Sequence, residues 1–146
     1  MKVLFLDVDG VLNRRSLLTV EADTFALCPK ACARLQVLIA RTGAKIVLSS
    51  SWRSSEQHIA YLHKFSVLDE AHEDWQTKKA RDEQTRGDEI AEWLSRHPEV
   101  IRYAIVDDTD DFLPKQRRYF VHTSYDEGLL DKHVKRLAAI LGEKEY

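Results

Sequence analysis

Two cysteines, three prolines and five glycines are all this sequence holds of the residues that staple, break or loosen a chain. Cys28 and Cys32 cannot cross-link 146 residues into a disulfide scaffold, so a reduced, cytoplasmic setting is expected. The scarcity of glycine and proline excludes a collagen-like or loop-dominated protein. No apolar run approaches the ~20 residues that span a bilayer, so no membrane partner is expected. The opening run Val3-Leu4-Phe5-Leu6 stops at Asp7, too soon for the core of a secretory signal. Charge of one sign is lacking too. Lys and Arg number 22 against 24 Asp and Glu, a balance of −2 that gives no sign of a strongly cationic nucleic-acid binder but leaves room for a local basic patch. What is present is 44 % hydrophobic and 32 % charged residues, enough for one substantial core in a single domain over residues 1–146.

The apolar residues change their period along the chain. Val3–Leu6, Lys45–Leu48, Tyr103–Val106 and Tyr119–Val121 are short apolar runs suited to buried parallel strands, with Ser66–Leu68 a weaker fifth. Helical patterns lie between them. Pro29 and Gly43 bracket a segment whose Leu35, Leu38 and Ile39 share a face. Ser54 with Gln57 offers a capping box for a helix buried through Ile59 and Leu62, and Thr85 with Asp88 does so for Ile90 and Leu94. Leu130, Val134, Leu137 and Leu141 mark a last helix that Gly142 stops. The charged stretch from Glu70 to Glu89 reads as a loop or irregular helix. Strands alternating with helices predict an α/β three-layer sandwich around a central parallel sheet.

The polar residues sit at the ends of the predicted strands. Val3–Leu6 runs into Asp7, Lys45–Leu48 into Ser49, and Tyr103–Val106 into Asp107-Asp108. In an open parallel sheet the carboxyl ends of the strands line one crevice, so these residues should meet there. Asp7 and Asp9, two apart, project to one side of extended chain, and Gly10 lets the backbone turn next. Asp110 and Asp111 lie close behind. Two carboxylates ~5 Å apart repel by roughly 3 kcal/mol at an effective dielectric of 20, so the cluster calls for a cation. Mg²⁺ suits all-oxygen ligands, and no His or Cys stands in the cluster to favour zinc. Carboxylates, a hydroxyl and a divalent ion suit phosphoryl transfer. One aspartate attacks phosphorus, and a second protonates the leaving oxygen and then deprotonates water.

The string Phe5-Leu6-Asp7-Val8-Asp9-Gly10-Val11-Leu12 resembles the first motif of the haloacid dehalogenase (HAD) superfamily of phosphohydrolases. Ile46-Val47-Leu48-Ser49 is similar to the second motif and Ala104-Ile105-Val106-Asp107-Asp108 to the acidic fourth, in the family's order. Within the superfamily, the serine run before Trp52-Arg53, the segment Arg86-Gly87-Asp88-Glu89-Ile90 before Trp93-Leu94, and Gly128-Leu129 resemble the HAD domains of RNA-repair polynucleotide phosphatases. The resemblance implies a Rossmannoid fold, Asp7 as nucleophile and Asp9 as general acid and base. Ser49 would hydrogen-bond the transferred phosphoryl group. Asp108 would hold Mg²⁺ with the Asp7 carboxylate and the Asp9 carbonyl, and Asp107 would be a further ligand or orienting group. Val11 stands where Thr is commoner, and Ser50 is an alternative to Ser49. The third motif's lysine has no clear counterpart; Arg86 fits its position best, with Lys78 and Lys79 as alternatives. Leu12 to Lys45 and Trp52 to Thr85 are too short for a full cap domain. A capless or minimally capped site favours a bulky substrate such as a polynucleotide end or a phosphoprotein.

The expected activity is therefore a Mg²⁺-dependent phosphomonoesterase working through an aspartyl-phosphate on nucleic-acid 3′-phosphate ends, in DNA or RNA. Alternatives are a small-metabolite or phosphoprotein phosphatase, a phosphomutase, a phospho-accepting receiver domain, and a binding domain that kept only the fold. A receiver has no need of a second aspartate two residues after the acceptor, so Asp9 favours the hydrolase. Arg14, Arg15 and above all Arg53 are candidates to grip a phosphate or backbone. Trp75 is either a platform for a stacked base or packing over the core edge. Cys28 and Cys32 read as packing on the first helix, and His122 as a residue near the acidic edge.

Overall fold

The computed structural model describes residues 1–14, 26–79 and 84–144. In chain order the elements are β1 (Lys2–Leu6), α1 (Pro29–Thr42), β2 (Lys45–Leu48), a 3₁₀ turn (Ser51–Ser54), α2 (Glu56–Lys64), β3 (Ala71–Gln76), α3 (Arg86–Ser95), β4 (Arg102–Asp107), a second 3₁₀ turn (Pro114–Tyr119), β5 (Phe120–His122) and α4 (Asp131–Leu141). The five strands form one sheet in the order β3-β2-β1-β4-β5, every pair parallel. The α/β sandwich expected from the alternation of strands and helices is the fold observed.

Alternation within the strands divides the core in two. Leu4, Leu6, Ile46, Leu48, Ala104 and Val106 face one side, where Leu35 and Leu38 of α1 and Leu137 and Leu141 of α4 cover them. Val3, Phe5, Val47 and Ile105 face the other, under Ile90 and Trp93 of α3. The chain winds outward from β1 through β2 to β3, then crosses back past β1 to β4. With right-handed crossovers, that reversal puts α3 on the opposite face from α1. It also makes the gap between the carboxyl ends of β1 and β4 the switch point of the sheet, where ligands bind in such folds.

Helix boundaries follow local chemistry. Pro29 opens α1, and Gly43 closes it at φ 71°. Thr85 and Asp88 form the expected reciprocal box at the start of α3. The box predicted for α2 is displaced by one residue: Ser54 ends the 3₁₀ turn, and Ser55 accepts the His58 N–H. Tyr119 likewise closes a 3₁₀ turn, and the strand starts at Phe120.

The fifth strand is the main correction. It is Ala71–Gln76, inside the charged stretch expected to be irregular, and not Ser66–Leu68. It pairs only with β2 and is an edge strand, so its Ala-His-Glu-Asp-Trp-Gln sequence needs no continuous apolar run. Val67 and Leu68 are buried for a different reason. They fold back on the end of α2, with the Val67 N–H donating to Leu62 O at 3.0 Å and Ser66 at φ 61°. Trp75 is partly buried against the core, which is the packing alternative for that residue.

The start of α3 is pinned by close approach. Gly87 is buried against the segment before the second 3₁₀ turn. Its N–H donates to Asp111 O at 2.9 Å, and its carbonyl accepts from Gln116 Nε2 at 2.9 Å. A Cβ on Gly87 would lie 2.6 Å from Gln116 Oε1 and 2.8 Å from Leu113 N. Gly87→Ala is therefore expected to destabilise the fold by about 1–3 kcal/mol, read as a lower midpoint in urea unfolding.

Candidate active site

The strand register assembles the site. Leu6 pairs with Leu48 on one side and Val106 on the other, and the ladder runs one residue further at each strand end. The Asp7 N–H donates to Val106 O at 3.1 Å, Ser49 N–H to Leu6 O at 2.9 Å, and Thr77 N–H to Leu48 O at 3.1 Å. Thr77, Ser49, Asp7 and Asp107 thus form one row across the carboxyl edge, neighbours ~4.8 Å apart. Two residues earlier, Val47, Phe5 and Ile105 face α3, so Ser49, Asp7 and Asp107 face the side where α3 begins. Arg86, the first residue of α3, meets them there. Its Nη1 lies 2.6 Å from Asp107 Oδ2 and 3.2 Å from Asp7 Oδ1.

Asp7, Asp107 and Asp108 each offer a carboxylate oxygen, all within 4.8 Å of one another. Asp7 and Asp107 are buried. Burial, followed by the charge of Asp107, lifts the Asp7 carboxyl well above its ordinary range, against the opposing pull of Arg86. Asp108 is raised as well, by burial first, although its contact with Asp7 works the other way. Asp107 is the most constrained of the three. Its Oδ1 accepts from the Thr109 N–H and Oγ1, both at 2.9 Å, while Oδ2 faces Arg86. The donors are all hard oxygens, which fits Mg²⁺.

The backbone after β1 is shaped to admit the third acid. Gly10 has φ 78°, and a Cβ there would lie 2.7 Å from Asp108 Cβ and overlap its carboxylate. Glycine is required on both counts.

The two serines differ. Ser49 Oγ is buried with no hydrogen-bond partner, whereas Ser50 Oγ accepts the Trp52 N–H at 3.1 Å and caps the first 3₁₀ turn. A buried hydroxyl without a partner, one place along the row from Asp7, is the kind of group that a bound oxyanion would satisfy. Arg53 lies within that turn, but its guanidinium is turned inward. Nη1 donates to the carbonyls of Ser49 and Ser50 at 3.0 and 3.1 Å, and Nη2 meets Glu89 Oε2 of α3 at 2.8 Å. Asp9 is half-buried, and its side chain stands outside the three-acid group. Lys78 and Lys79 are exposed beyond β3. Arg14 is exposed, and Arg15 lies outside the described residues. Asp111 anchors α3 by accepting the Arg86 N–H at 2.9 Å, and Asp110 pairs with Arg117. His122 Nε2 lies 2.8 Å from the Asp108 carbonyl. Cys32 is buried on α1, its thiol pushed up to about 11 by that burial and by Cys28, which suits inert packing.

Over residues 3–134 the sequence matches the family described as the HAD domain in Swiss Army Knife RNA repair proteins. The chain belongs to that family. No curated protein and no solved structure matches it. Between β2 and α3 of this HAD domain, the described residues hold only the 3₁₀ turn, α2 and the edge strand. Residues 15–25, the other place for a cap, lie outside the described residues. Among the described residues, no helix is long and apolar enough to cross a membrane.

Two features of the HAD domain were missed in sequence. Glu89 is 9 % exposed and faces the buried Arg53. Its position four residues before Trp93 on an amphipathic helix was a usable signal, because it puts a charge on the apolar stripe. The second is a group formed by His72, His97 and Glu99. His72 Nδ1 accepts the Asp74 N–H at 2.9 Å, so in the neutral ring the proton sits on Nε2, facing Glu99 at 3.5 Å. His97 bridges Asp74 and Glu99, both at 2.8 Å, and stacks on Trp93. The group is a hydrogen-bonded brace between β3 and the segment after α3. A cavity of about 550 Å³ opens at the amino end of β2, between Leu35, Ile39, Ile46 and Val67, and no member of the acidic row lines it.

The raised acids set a pH dependence. Protons compete with a divalent ion below the elevated pKa values, and the carboxylates ionise as pH rises through them. In the metal-free protein, the stability contributed by protonated Asp7 and Asp108 is lost over that same rise. Mg²⁺ should therefore raise Tm more at about pH 8 than at about pH 5, in thermal unfolding with and without the ion. Gly10→Ala, which displaces Asp108, should weaken Mg²⁺ binding about tenfold or more by titration calorimetry.

Proposed function

We propose that this protein is a Mg²⁺-dependent phosphomonoesterase that works through a phosphorylated Asp7 and removes 3′-phosphates from polynucleotide ends. The observation that carries the reading is the row Ser49, Asp7, Asp107 at the switch point of the sheet, with Arg86 against its two acids. Membership of a HAD family found in RNA repair proteins supports both the chemistry and the substrate class.

Asp7 and Asp108, with the Asp9 main-chain carbonyl, would hold the ion, and Asp107 would orient Arg86. The ion supplies neutralisation of the carboxylates and of the incoming phosphate. Asp7 attacks phosphorus, and its new O–P bond forms as the bond to the leaving oxygen breaks. Asp9 gives its proton to that oxygen. In the second half Asp9 takes a proton from water, the hydroxide oxygen bonds to phosphorus, and Asp7 leaves as a carboxylate. Ser49 Oγ donates to a phosphoryl oxygen, gaining the partner it otherwise lacks. Arg86 balances charge near Asp7 throughout. Arg53 holds the Ser49 and Ser50 carbonyls in place and leaves the phosphate to the other groups.

The test is phosphate release from a 3′-phosphorylated oligoribonucleotide, its DNA counterpart and p-nitrophenyl phosphate. Turnover should require Mg²⁺ and vanish with chelator. Asp7→Asn and Asp9→Asn should each lower kcat by about a thousandfold, and Arg86→Ala by about a hundredfold. Full turnover by Asp7→Asn would remove the nucleophile from the scheme. A higher kcat/KM for small phosphate esters than for either polynucleotide end would assign the enzyme to small metabolites instead.

A further inference from the structure

Asp9 follows Asp7 by two residues but has left the strand, and its carboxylate stands apart from the three clustered acids. Among the described residues, one side chain donates to it: Asn13 Nδ2, 2.9 Å from Asp9 Oδ1. Asn13 is 1 % exposed. The other end of the same amide, Oδ1, accepts the Gly10 N–H at 2.9 Å. A reversed amide would set its NH₂ against that N–H, so the backbone dictates which end faces Asp9.

The segment carrying Asn13 is itself held from several sides. Thr123 Oγ1 donates to Gly10 O at 2.7 Å, Leu129 N–H to Val11 O at 2.8 Å, and Cys28 N–H to Leu12 O at 2.7 Å. Gly128, at φ 71°, passes so close that a Cβ would lie 2.9 Å from Asn13 O. The Gly128-Leu129 pair singled out in the sequence thus acts as a clamp behind Asn13.

We propose that Asn13 is a positioning residue for Asp9, holding its carboxyl group in one orientation, apart from the clustered acids, for proton transfer to the leaving oxygen. The inference rests on the phosphatase reading above. An aspartate has two side-chain torsions to fix, and a displacement of about 1 Å from the reactive geometry costs on the order of a hundredfold in rate. The amide of Asn13 restrains that carboxyl group through one hydrogen bond from a side chain that is buried and tied to the main chain.

Asn13→Asp separates this role from a purely structural one. It keeps an acceptor for the Gly10 N–H and replaces the amide donor to Asp9 by a carboxyl oxygen, so the uncharged Asn13→Ser is measured beside it. Leaving-group release is measured under single turnover, with Mg²⁺, on a 3′-phosphorylated oligoribonucleotide and on dinitrophenyl phosphate. The sugar oxygen needs a proton as it departs, whereas dinitrophenolate leaves without one. The rate on the oligonucleotide should fall about a hundredfold, and the fall on the dinitrophenyl ester should be at least about tenfold smaller. Asp9→Asn should show the same inequality more strongly. Equal losses on the two substrates, or no loss on either, overturn the assignment of Asn13. Absence of turnover by the unmodified protein on both substrates overturns the phosphatase reading itself, whereas equal losses in Asp9→Asn remove Asp9 as the acid and Asn13's role with it. Thermal unfolding checks that Asn13→Asp is folded. If it is not, Asn13→Ser, whose hydroxyl is too short to bridge Gly10 and Asp9 together, decides alone by the same ratio.

Discussion

Three carboxylates gathered within 4.8 Å repel one another, and the surrounding structure is arranged to hold them there. At an effective dielectric of 20 each close pair costs about 3 kcal/mol when both members are ionised. Arg86 offsets part of this by sitting against two of the three. Neither the acids nor the arginine could reach that geometry without close backbone approaches. Gly10 makes room for Asp108, and Gly87 lets the first turn of α3 come down on the loop after β4. A divalent cation completes the balance in the proposed scheme, in which the same residues would set metal affinity, pH dependence and nucleophile placement.

Helix α3 carries more of this arrangement than any strand. Its first residue meets the acids, Glu89 meets Arg53, and Ile90 and Trp93 cover the sheet between them. Arg53 in turn holds the carbonyls of Ser49 and Ser50. The ends of β2 and β4, separated by β1, are therefore both indexed to one rigid element. The buried Arg53–Glu89 pair contributes to that indexing more than to net stability, because the desolvation of two ions offsets most of their attraction.

Much of this could be read from the sequence, and the exceptions share a cause. β1, β2 and β4 are buried on both faces, so their composition announced them, and parity then placed Asp7, Ser49 and Asp107 in one row. β3 was hidden because an edge strand half open to solvent carries no apolar run, while Val67 and Leu68 advertised a strand although they pack under a helix end. Polar partners were harder still. Arg53 was expected to face the substrate and faces Glu89, since the direction of a long cationic side chain depends on a carboxylate 36 residues away. Arg86 was put forward only as the best match to a family motif, with Lys78 and Lys79 as alternatives, and its contact with two strand-end acids arises because a helix start and strand ends share one edge of the sheet. Asn13 gave no sign, since one asparagine in a turn looks like another until its two hydrogen bonds are seen.

The loop after β1 is closed by residues from the far end of the molecule: Thr123 on Gly10, Gly128 on Asn13, Leu129 on Val11. Contacts of such wide sequence separation form late and cooperatively. A ribosome-bound chain that has made β1 but not yet β5 owns the motif without the means to shape it. Under the proposed function, reactivity toward phosphate esters would then switch on only when synthesis has delivered β5 and the turn beyond it.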